Sequence, residues 1–102
     1  MAKDRLELHQ KLVDLLGSNA VYFQPPESFK MTYPCIVYER SRINSRKANN
    51  HTYLKYNQYT VTVIDEDPDT EIPDKLFELS HCSHDRRFVS DDLYHDVFTL
   101  YF

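Results

Sequence analysis

Glycine is almost missing from this chain of 102 residues, since Gly17 is the only one. A phosphate-binding loop needs several glycines, so a nucleotide site of that class is excluded. Turns elsewhere must use Asn, Asp and Pro, because other residues adopt a positive φ only at a cost. Cysteine is also scarce. Cys35 and Cys82 are too few for a disulfide-stapled fold, and we expect both to stay reduced.

Long apolar runs are missing too. No segment approaches the ~20 residues of a membrane helix, and Lys3 and Arg5 precede no apolar stretch of a secretion signal. We therefore expect a cytoplasmic setting and no membrane partner. The net charge of −4 weighs against a dedicated nucleic-acid binder, which usually carries a positive surface. With 41% hydrophobic and 14% aromatic residues, the chain predicts one folded domain over residues 1–102.

Two segments have the residue spacing of helices. From Leu6 to Leu16 the apolar residues recur about every 3.6 positions. Asp4 is a suitable N-cap for this helix, and Gly17 suits the left-handed residue that ends it. A second helix is predicted over Ile72–Leu79, where apolar residues stand at i, i+4 and i+7 and Thr70 offers an N-cap.

Strand-like segments fill most of the remaining chain. Cys35–Ser41 predicts one strand, and Tyr53–Ile64, rich in β-branched and aromatic residues, predicts the clearest one. The polar stretch between them, Arg42–Thr52, is typical of a loop or a hairpin tip. The end of the chain predicts two more strands joined by a turn of hairpin length: Arg86–Ser90, Asp91–Asp92 and Leu93–Phe102.

These elements follow the order α-β-β-α-β-β, with a short extra strand expected near Tyr22. They predict an α+β fold in which an antiparallel or mixed sheet of four to five strands carries both helices on one face. A long hairpin joins the first two main strands. The apolar alternation of the second reverses near Asn57–Gln58, so either a bulge lies there or the first half runs beyond the core. The long polar stretch before it favours the second explanation.

Patterns that suggest catalysis or metal binding have simpler structural explanations here. His81–Asp85, even with His95, lacks the second ligand pair of a structural zinc site. A nucleophile at Cys82 has no evident oxyanion hole or substrate cleft. The acidic segment Asp65–Asp69 mimics the start of a calcium loop, but Thr70 stands where that loop needs glycine. We therefore predict no enzyme activity, no catalytic residues, no metal and no cofactor.

Charged and aromatic residues supply candidates for an interaction surface. A basic cluster lies where the first two main strands meet, and the acidic run Asp65–Asp74 of an identical subunit could receive it, as in a ring. A solvated loop explains the cluster equally well. The last strand is apolar at both alternations, so either it is central in a sheet whose second face is rich in aromatic residues, or that face or the sheet edge meets another subunit. The candidate interface residues are Arg40, Arg42, Arg46, Lys47, Tyr53, Tyr56, Tyr94, Tyr101 and Phe102.

Three stretches occur in an order that carries a family resemblance: Tyr33–Tyr38, Tyr59–Asp69 and Val97–Tyr101. Their patterns "YP-I-Y" and "TVID-DPD" and the terminal strand resemble small proteins of long-tailed bacteriophages. These are the tail-completion or tail-to-head joining proteins, which are related in fold to tail terminators. The resemblance covers about residues 5–102, and most of its motifs are strand patterns.

The resemblance implies a hexameric ring on top of the tail tube, in the neck of the virion. Such a ring stops tube polymerisation and docks to the head-closure complex, and its subunits wait in the host cytoplasm, in some cases as monomers. The implied partners are identical subunits, the tail tube protein or terminator, and the head-closure protein. A long hairpin, here about Arg40–Tyr56, would face the ring neighbours or the lumen, close to DNA. Tail-joining and tail-terminating roles both stay open.

A second hypothesis belongs to another class of function. The basic hairpin could contact nucleic acid, with Tyr53, Tyr56 and Tyr59 stacking on bases. The acidic net charge weighs against this module. Salt-dependent binding to short DNA would distinguish it from an assembly protein.

Overall fold

The chain folds as a five-stranded sheet with two helices, in a computed structural model that describes residues 5–26, 30–48, 51–79 and 81–102. Side chains are described for all of these except residues 42–48 and 51–56. The elements in chain order are α1 Arg5–Leu16, β1 Val21–Phe23, β2 Cys35–Ala48, β3 His51–Asp65, α2 Ile72–Phe77, β4 Cys82–Ser90 and β5 Leu93–Tyr101. The short strand expected near Tyr22 is β1.

The sheet is mixed and has the strand order β1-β2-β3-β5-β4. β1 runs parallel to β2, and the other described pairs are antiparallel. The α+β class and the predicted strand number are therefore confirmed. Among the helices of the described residues, none combines the length and the apolar character that crossing a bilayer requires.

Helix α1 forms where the apolar spacing predicts it. Leu8 and Leu12 are fully buried, while Leu6, expected on the same face, is 62% exposed. The helix ends at Gly17, whose φ of 80° lies in the left-handed region and whose N–H donates to the Val13 carbonyl at 2.8 Å. The expected N-cap, Asp4, lies outside the described residues.

The main core lies between one face of the sheet and both helices. Tyr59, Val61 and Val63 alternate along β3 and are fully buried on this face. The register places Ile36 and Tyr38 of β2 on one side of them and the end of β5 on the other. Each such side chain stabilises the fold by about 1.5–3 kcal/mol. The other buried members of this core are Leu8, Leu12, Val21, Ile72, Leu76, Phe98 and Leu100.

Helix α2 is shorter than the apolar spacing predicts. It ends at Phe77, and Leu79 follows in a turn where its N–H donates to the Leu76 carbonyl at 3.0 Å. The N-cap is Glu71 and not Thr70, although the Thr70 hydroxyl accepts a hydrogen bond from the Ile72 N–H at 3.4 Å. Thr70 lies one residue before the N-cap, and its hydroxyl still accepts a hydrogen bond from one of the N–H groups of the first turn that have no partner within the helix.

The polar stretch Arg42–Thr52 is typical of a loop or a hairpin tip, and the described part of it belongs to the hairpin: a loop is wrong there, because these residues continue the two strands. β2 continues to Ala48 and β3 begins at His51, and their backbones pair from Cys35 and Ile64 to Ala48 and His51 with two register shifts. The alternation along β3 reverses because its first half runs beyond the core, as favoured from the sequence. A bulge is also present, but it lies at Ser41 of β2, where the register shifts between Arg40 and Arg42.

The β4–β5 hairpin has the predicted two-residue turn. Asp91 and Asp92 have φ values of 52° and 62°, and positive φ at both positions defines the type I′ turn. β4 begins at Cys82, four residues before the predicted start, because the polar segment before Arg86 still pairs with β5. Its register shifts between His84 and Arg86, so Asp85 is the extra residue of a bulge.

Substitution of Gly17 tests how much the end of α1 depends on a positive φ. No atom lies within 4 Å of an added Cβ, so the backbone conformation alone sets the cost. We expect Gly17→Ala to lower the free energy of unfolding by about 1 kcal/mol in urea denaturation. Gly17→Asn is the matched control and should lose about half as much, because Asn tolerates the left-handed region. Equal losses for both would show that the φ value is not the cause.

Candidate interaction surfaces

The β2–β3 hairpin continues past the rest of the sheet as an arm, defined here as the described residues 41–48 and 51–56. β1 pairs with β2 only at residues 36–38, and β5 pairs with β3 only as far as Gln58. At the base of the arm, Asn57 and Phe102 exchange backbone hydrogen bonds of 3.3 and 3.0 Å. Beyond this point the described strands pair only with each other. The molecule is accordingly elongated, with principal extents of 51 × 26 × 23 Å.

Arginine and tyrosine side chains anchor the base of the arm. Arg40 Nη2 donates to the hydroxyl of buried Tyr59 at 3.3 Å. The hydroxyl of the neighbouring buried Tyr38 accepts from Arg5 Nη1 at 3.1 Å and lies 2.7 Å from His9 Nδ1. Burial raises the pKa of Tyr38 and lowers the pKa of His9, with Arg5 adding to the shift of His9. These contacts fasten α1 to the start of the arm.

Five of the candidate interface residues lie in the arm itself: Arg42, Arg46, Lys47, Tyr53 and Tyr56. Their backbones belong to the β2–β3 ladder, in which Arg42 pairs with Gln58 and Arg46 with Leu54. Tyr53 lies at the register shift between Arg46 and Lys47. The side chains of all five lie outside the described residues. The ladder therefore brings these residues together along one arm.

The arm is basic in sequence. It contains four Lys or Arg residues and no Asp or Glu: Arg42, Arg46, Lys47 and Lys55, with Arg40 directly before it in sequence. A chain with a net charge of −4 must then hold a matching excess of acidic residues elsewhere.

Acidic residues are concentrated at the opposite end of β3. This region is called the acidic end here and is defined as residues 65–74 with the turn 91–92. Asp65 ends β3 and pairs with Tyr94 near the start of β5, so the turn before β5 lies beside it. The eight acidic residues are Asp65, Glu66, Asp67, Asp69, Glu71, Asp74, Asp91 and Asp92. β3 has 15 residues, about 50 Å at the usual rise of a strand, and it separates the two charged ends.

Local hydrogen bonds shape the acidic end. Asp65 Oδ1 accepts from the Asp67 N–H at 3.0 Å, and Asp67 Oδ1 accepts from the Asp69 N–H at 2.9 Å. These side chains fold the segment into successive turns, as Asp commonly does. Glu66, Asp67, Asp69, Glu71 and Asp74 are exposed, so most of the negative charge faces solvent.

The last strand is not at the edge of the sheet. β5 lies between β3 and β4, which explains why it is apolar at both alternations. Tyr101 is 37% exposed on the face of the sheet away from the helices, opposite Gln58. Tyr94 is half-buried beneath the Arg87 guanidinium, whose Cζ lies 5.3 Å from the ring centroid. Phe102 packs against the main core.

A shallow cleft of about 330 Å³ lies between α2 and β4, beside the acidic end. On its floor Asp96 is almost fully buried, with Oδ1 at 3.0 Å from His84 Nε2 and 3.7 Å from Arg87 Nε. Arg87 Nη2 also donates to the Pro68 carbonyl at 2.6 Å. Asp96 thus ties β4 to the acidic end through Arg87. Phe77, which is 52% exposed, forms part of the wall.

The sequence did contain a signal for Asp96. The even positions of β5 face the core, and Asp96 interrupts an apolar series that includes Phe98 and Leu100. A carboxylate at such a position predicts a buried, paired group, because an unpaired one would be costly. The pairing partners, His84 and Arg87, stand on the next strand and could be named only once the register was known.

The histidine and cysteine side chains make separate contacts in the described structure. His84 faces Asp96, while His95 stacks on Phe88 with ring centroids 4.6 Å apart. Cys35 and Cys82 are free thiols, and burial raises the pKa of each to about 11. Within the described ranges, no three His, Cys, Asp or Glu side chains come close enough to hold a metal ion.

Removing the charge of Asp96 tests its role as a tie between β4 and the acidic end. We expect Asp96→Asn to lower the free energy of unfolding by about 1–2 kcal/mol, because Arg87 and His84 lose the buried carboxylate that both contact. The value is modest because His84 and Arg87 are partly solvated. Asp85→Asn is the control. Asp85 is exposed and accepts a 2.6 Å hydrogen bond from the Thr99 hydroxyl, so its loss should cost about 0.5 kcal/mol. Equal effects in chemical denaturation would argue against the tie.

Comparison with known proteins does not assign the chain to a family. The chain matches no family model, and no curated protein is significantly similar to it. The likeness to phage tail-completion proteins therefore rests on the residue patterns and the order of the elements.

Proposed function

We propose that this chain is a structural assembly protein of a phage neck, which forms a ring at the tail end and joins the tail to the head-closure complex. The observation that carries the proposal is the separation of charge along one elongated subunit. A basic arm contains the first half of β3, and the acidic end lies at the other end of this strand, about 20–45 Å along it from the basic residues of the arm.

In the ring, the arm of each subunit lies against the acidic end of its neighbour. Such a contact joins two different surfaces, so it leaves an arm and an acidic end free to bind further subunits. A chain of these contacts closes into a ring when the rotation between subunits is suitable. Exposed charges are screened beyond about 8 Å at physiological salt, so the contact should weaken as salt is raised.

Exposed apolar side chains provide contacts with the other virion components. The described residues include Phe77, Phe88, Val89 and Tyr101 as large apolar side chains that are at least 37% exposed. Aromatic residues are common at the centres of protein interfaces. They support binding of the tail tube or terminator on one side of the ring and of the head-closure protein on the other.

Contact with nucleic acid is the alternative function, and the absence of acidic residues from the arm favours it. Phosphates would bind the same lysines and arginines that the neighbouring acidic end would bind. The eight acidic residues at the other end weigh against it, because they repel a polyanion and give the arm a partner within the assembly.

Charge exchange between the two ends tests the ring contact. We expect Arg42→Glu with Arg46→Glu to reduce joined particles by about tenfold or more, because the arm would then face like charge. Adding Glu66→Arg and Asp69→Arg in the same chain should restore joining. Joined particles are counted by electron microscopy of material made with each variant. Lys11→Glu with Lys30→Glu is the control, since both lysines are exposed outside the arm.

The same images distinguish a tail-joining role from a tail-terminating role. Tails of normal length that fail to attach to capsids indicate joining, and tails of uncontrolled length indicate termination. Unchanged joining by the arm double variant would contradict the ring contact. If the variant with all four changes stays defective and only the arm changes abolish salt-dependent binding to short DNA, the nucleic-acid function is correct instead.

A further inference from the structure

β4 is one of the two outer strands of the described sheet and pairs only with β5. Every residue from Ser83 to Ser90 is exposed, and Val89 and Phe88 are 60% and 38% exposed. An outer strand of nine residues presents a row of backbone N–H and C=O groups that another strand can bind. Natural sheets usually shorten, charge or bend such an edge.

The turn of the hairpin determines which backbone groups of β4 point outward. A two-residue turn makes its flanking pair, Ser90 and Leu93, a hydrogen-bonded pair. Such pairs alternate along an antiparallel ladder, so Phe88 also directs its N–H and C=O towards β5. Arg87 and Val89 therefore direct theirs to the free edge. Among the described residues, no hydrogen bond beyond the β4–β5 ladder uses these backbone groups.

The bulge at Asp85 limits the usable part of this edge. A bulge bends a strand and increases its twist, so a straight partner strand cannot continue past it. The flat part is then Arg86–Ser90, five residues long. Such a short edge can pair with one strand of another chain in a defined register, but it does not favour the addition of further strands into a growing aggregate.

We propose that the occupant of this edge is β4 of a second copy of the chain, paired antiparallel about a two-fold axis centred on Phe88. In this register Arg87 forms a hydrogen-bonded pair with Val89 of the second copy, and Val89 with Arg87 of the second copy. The outward N–H and C=O groups at both positions are all used. Phe88 meets Phe88 of the second copy in a non-hydrogen-bonded pair, where side chains are closest.

Charge and the number of paired residues favour this register over the two alternatives whose axes are shifted by one residue. Arg86 lies opposite Ser90 of the second copy, next to the acidic turn Asp91–Asp92. A shift that centres the axis on Arg87 would place this arginine opposite itself, and like charges directly opposite are destabilising. A shift that centres it on Val89 leaves only three residues of each strand paired. The register centred on Phe88 therefore satisfies the most backbone groups without opposing like charges.

The two-fold contact does not involve the arm, although it shares Phe88 and Val89 with the side chains proposed above to bind other virion components. It uses the β4 edge, which lies across the sheet from β2 and the arm. It joins identical surfaces and closes after two copies, whereas the arm contact joins different surfaces. Loss of one contact therefore leaves the other testable.

Proline at Val89 tests the backbone pairing. Proline lacks an N–H but is tolerated on an edge strand where that N–H faces solvent. We expect sedimentation equilibrium of the unaltered chain to show a dimer at twice the 12.2 kDa of one chain. Val89→Pro should weaken the dimer by about tenfold to a hundredfold, because two symmetric hydrogen bonds are lost. Val89→Ala keeps the N–H and is the matched control.

Comparison of the two Val89 variants distinguishes backbone pairing from a contact made by the side chain. A dimer that survives Val89→Ala but not Val89→Pro supports strand pairing, provided that circular dichroism shows a folded chain. A chain that stays monomeric at millimolar concentration overturns the proposal. So does equal loss of the dimer in both variants, which would indicate a contact made by the Val89 side chain.

Disulfide trapping tests the register without disturbing the backbone. In a non-hydrogen-bonded antiparallel pair the Cα atoms are about 4.5 Å apart, within the range that a disulfide spans. Phe88→Cys should form a disulfide dimer under mild oxidation, and the unaltered chain, with only its native cysteines, should not. Arg86→Cys and Ser90→Cys should each cross-link poorly alone and well when mixed. Cross-linking of Ser90→Cys with itself but not of Phe88→Cys would contradict this register.

Discussion

The long pairing of β2 with β3 is the constraint on which the rest of the structure depends. One half of β3 supplies Tyr59, Val61 and Val63 to the core, and the other half forms the arm. The same strand therefore holds the core together and separates the basic residues from the acidic end. Tyr38 and Tyr59, with Arg5 and Arg40, connect the two halves at the base of the arm.

The core and its connections could largely be predicted from the sequence. Alternation along β3, helical spacing near Leu8 and Leu12, and Asp91–Asp92 between two strand-like runs are strong local signals. The extent of the hairpin could not be predicted, because strands that lie beyond the core lose the apolar alternation that identifies them. A polar stretch such as Arg42–Thr52 then has the composition of a loop although its backbone forms a ladder.

The candidate surfaces were predictable only in part. The basic cluster and the acidic run are visible in the sequence, but their positions at opposite ends of one strand depend on where the hairpin turns. The partners of Asp96 depend on the β4–β5 register, which the bulge at Asp85 shifts by one residue. The free edge of β4 follows from the strand order, and neighbouring residues do not determine that order.

Zero-length cross-linking in assembled particles tests most directly whether the arm meets the acidic end of a neighbour. Particles built from equal amounts of ¹⁴N- and ¹⁵N-labelled chains would be treated with a carbodiimide, which joins lysines to carboxylates in contact. The account expects mixed-isotope peptides that link Lys47 or Lys55 to residues 65–74. Cross-links confined to single chains, or arms joined only to other proteins, would contradict it.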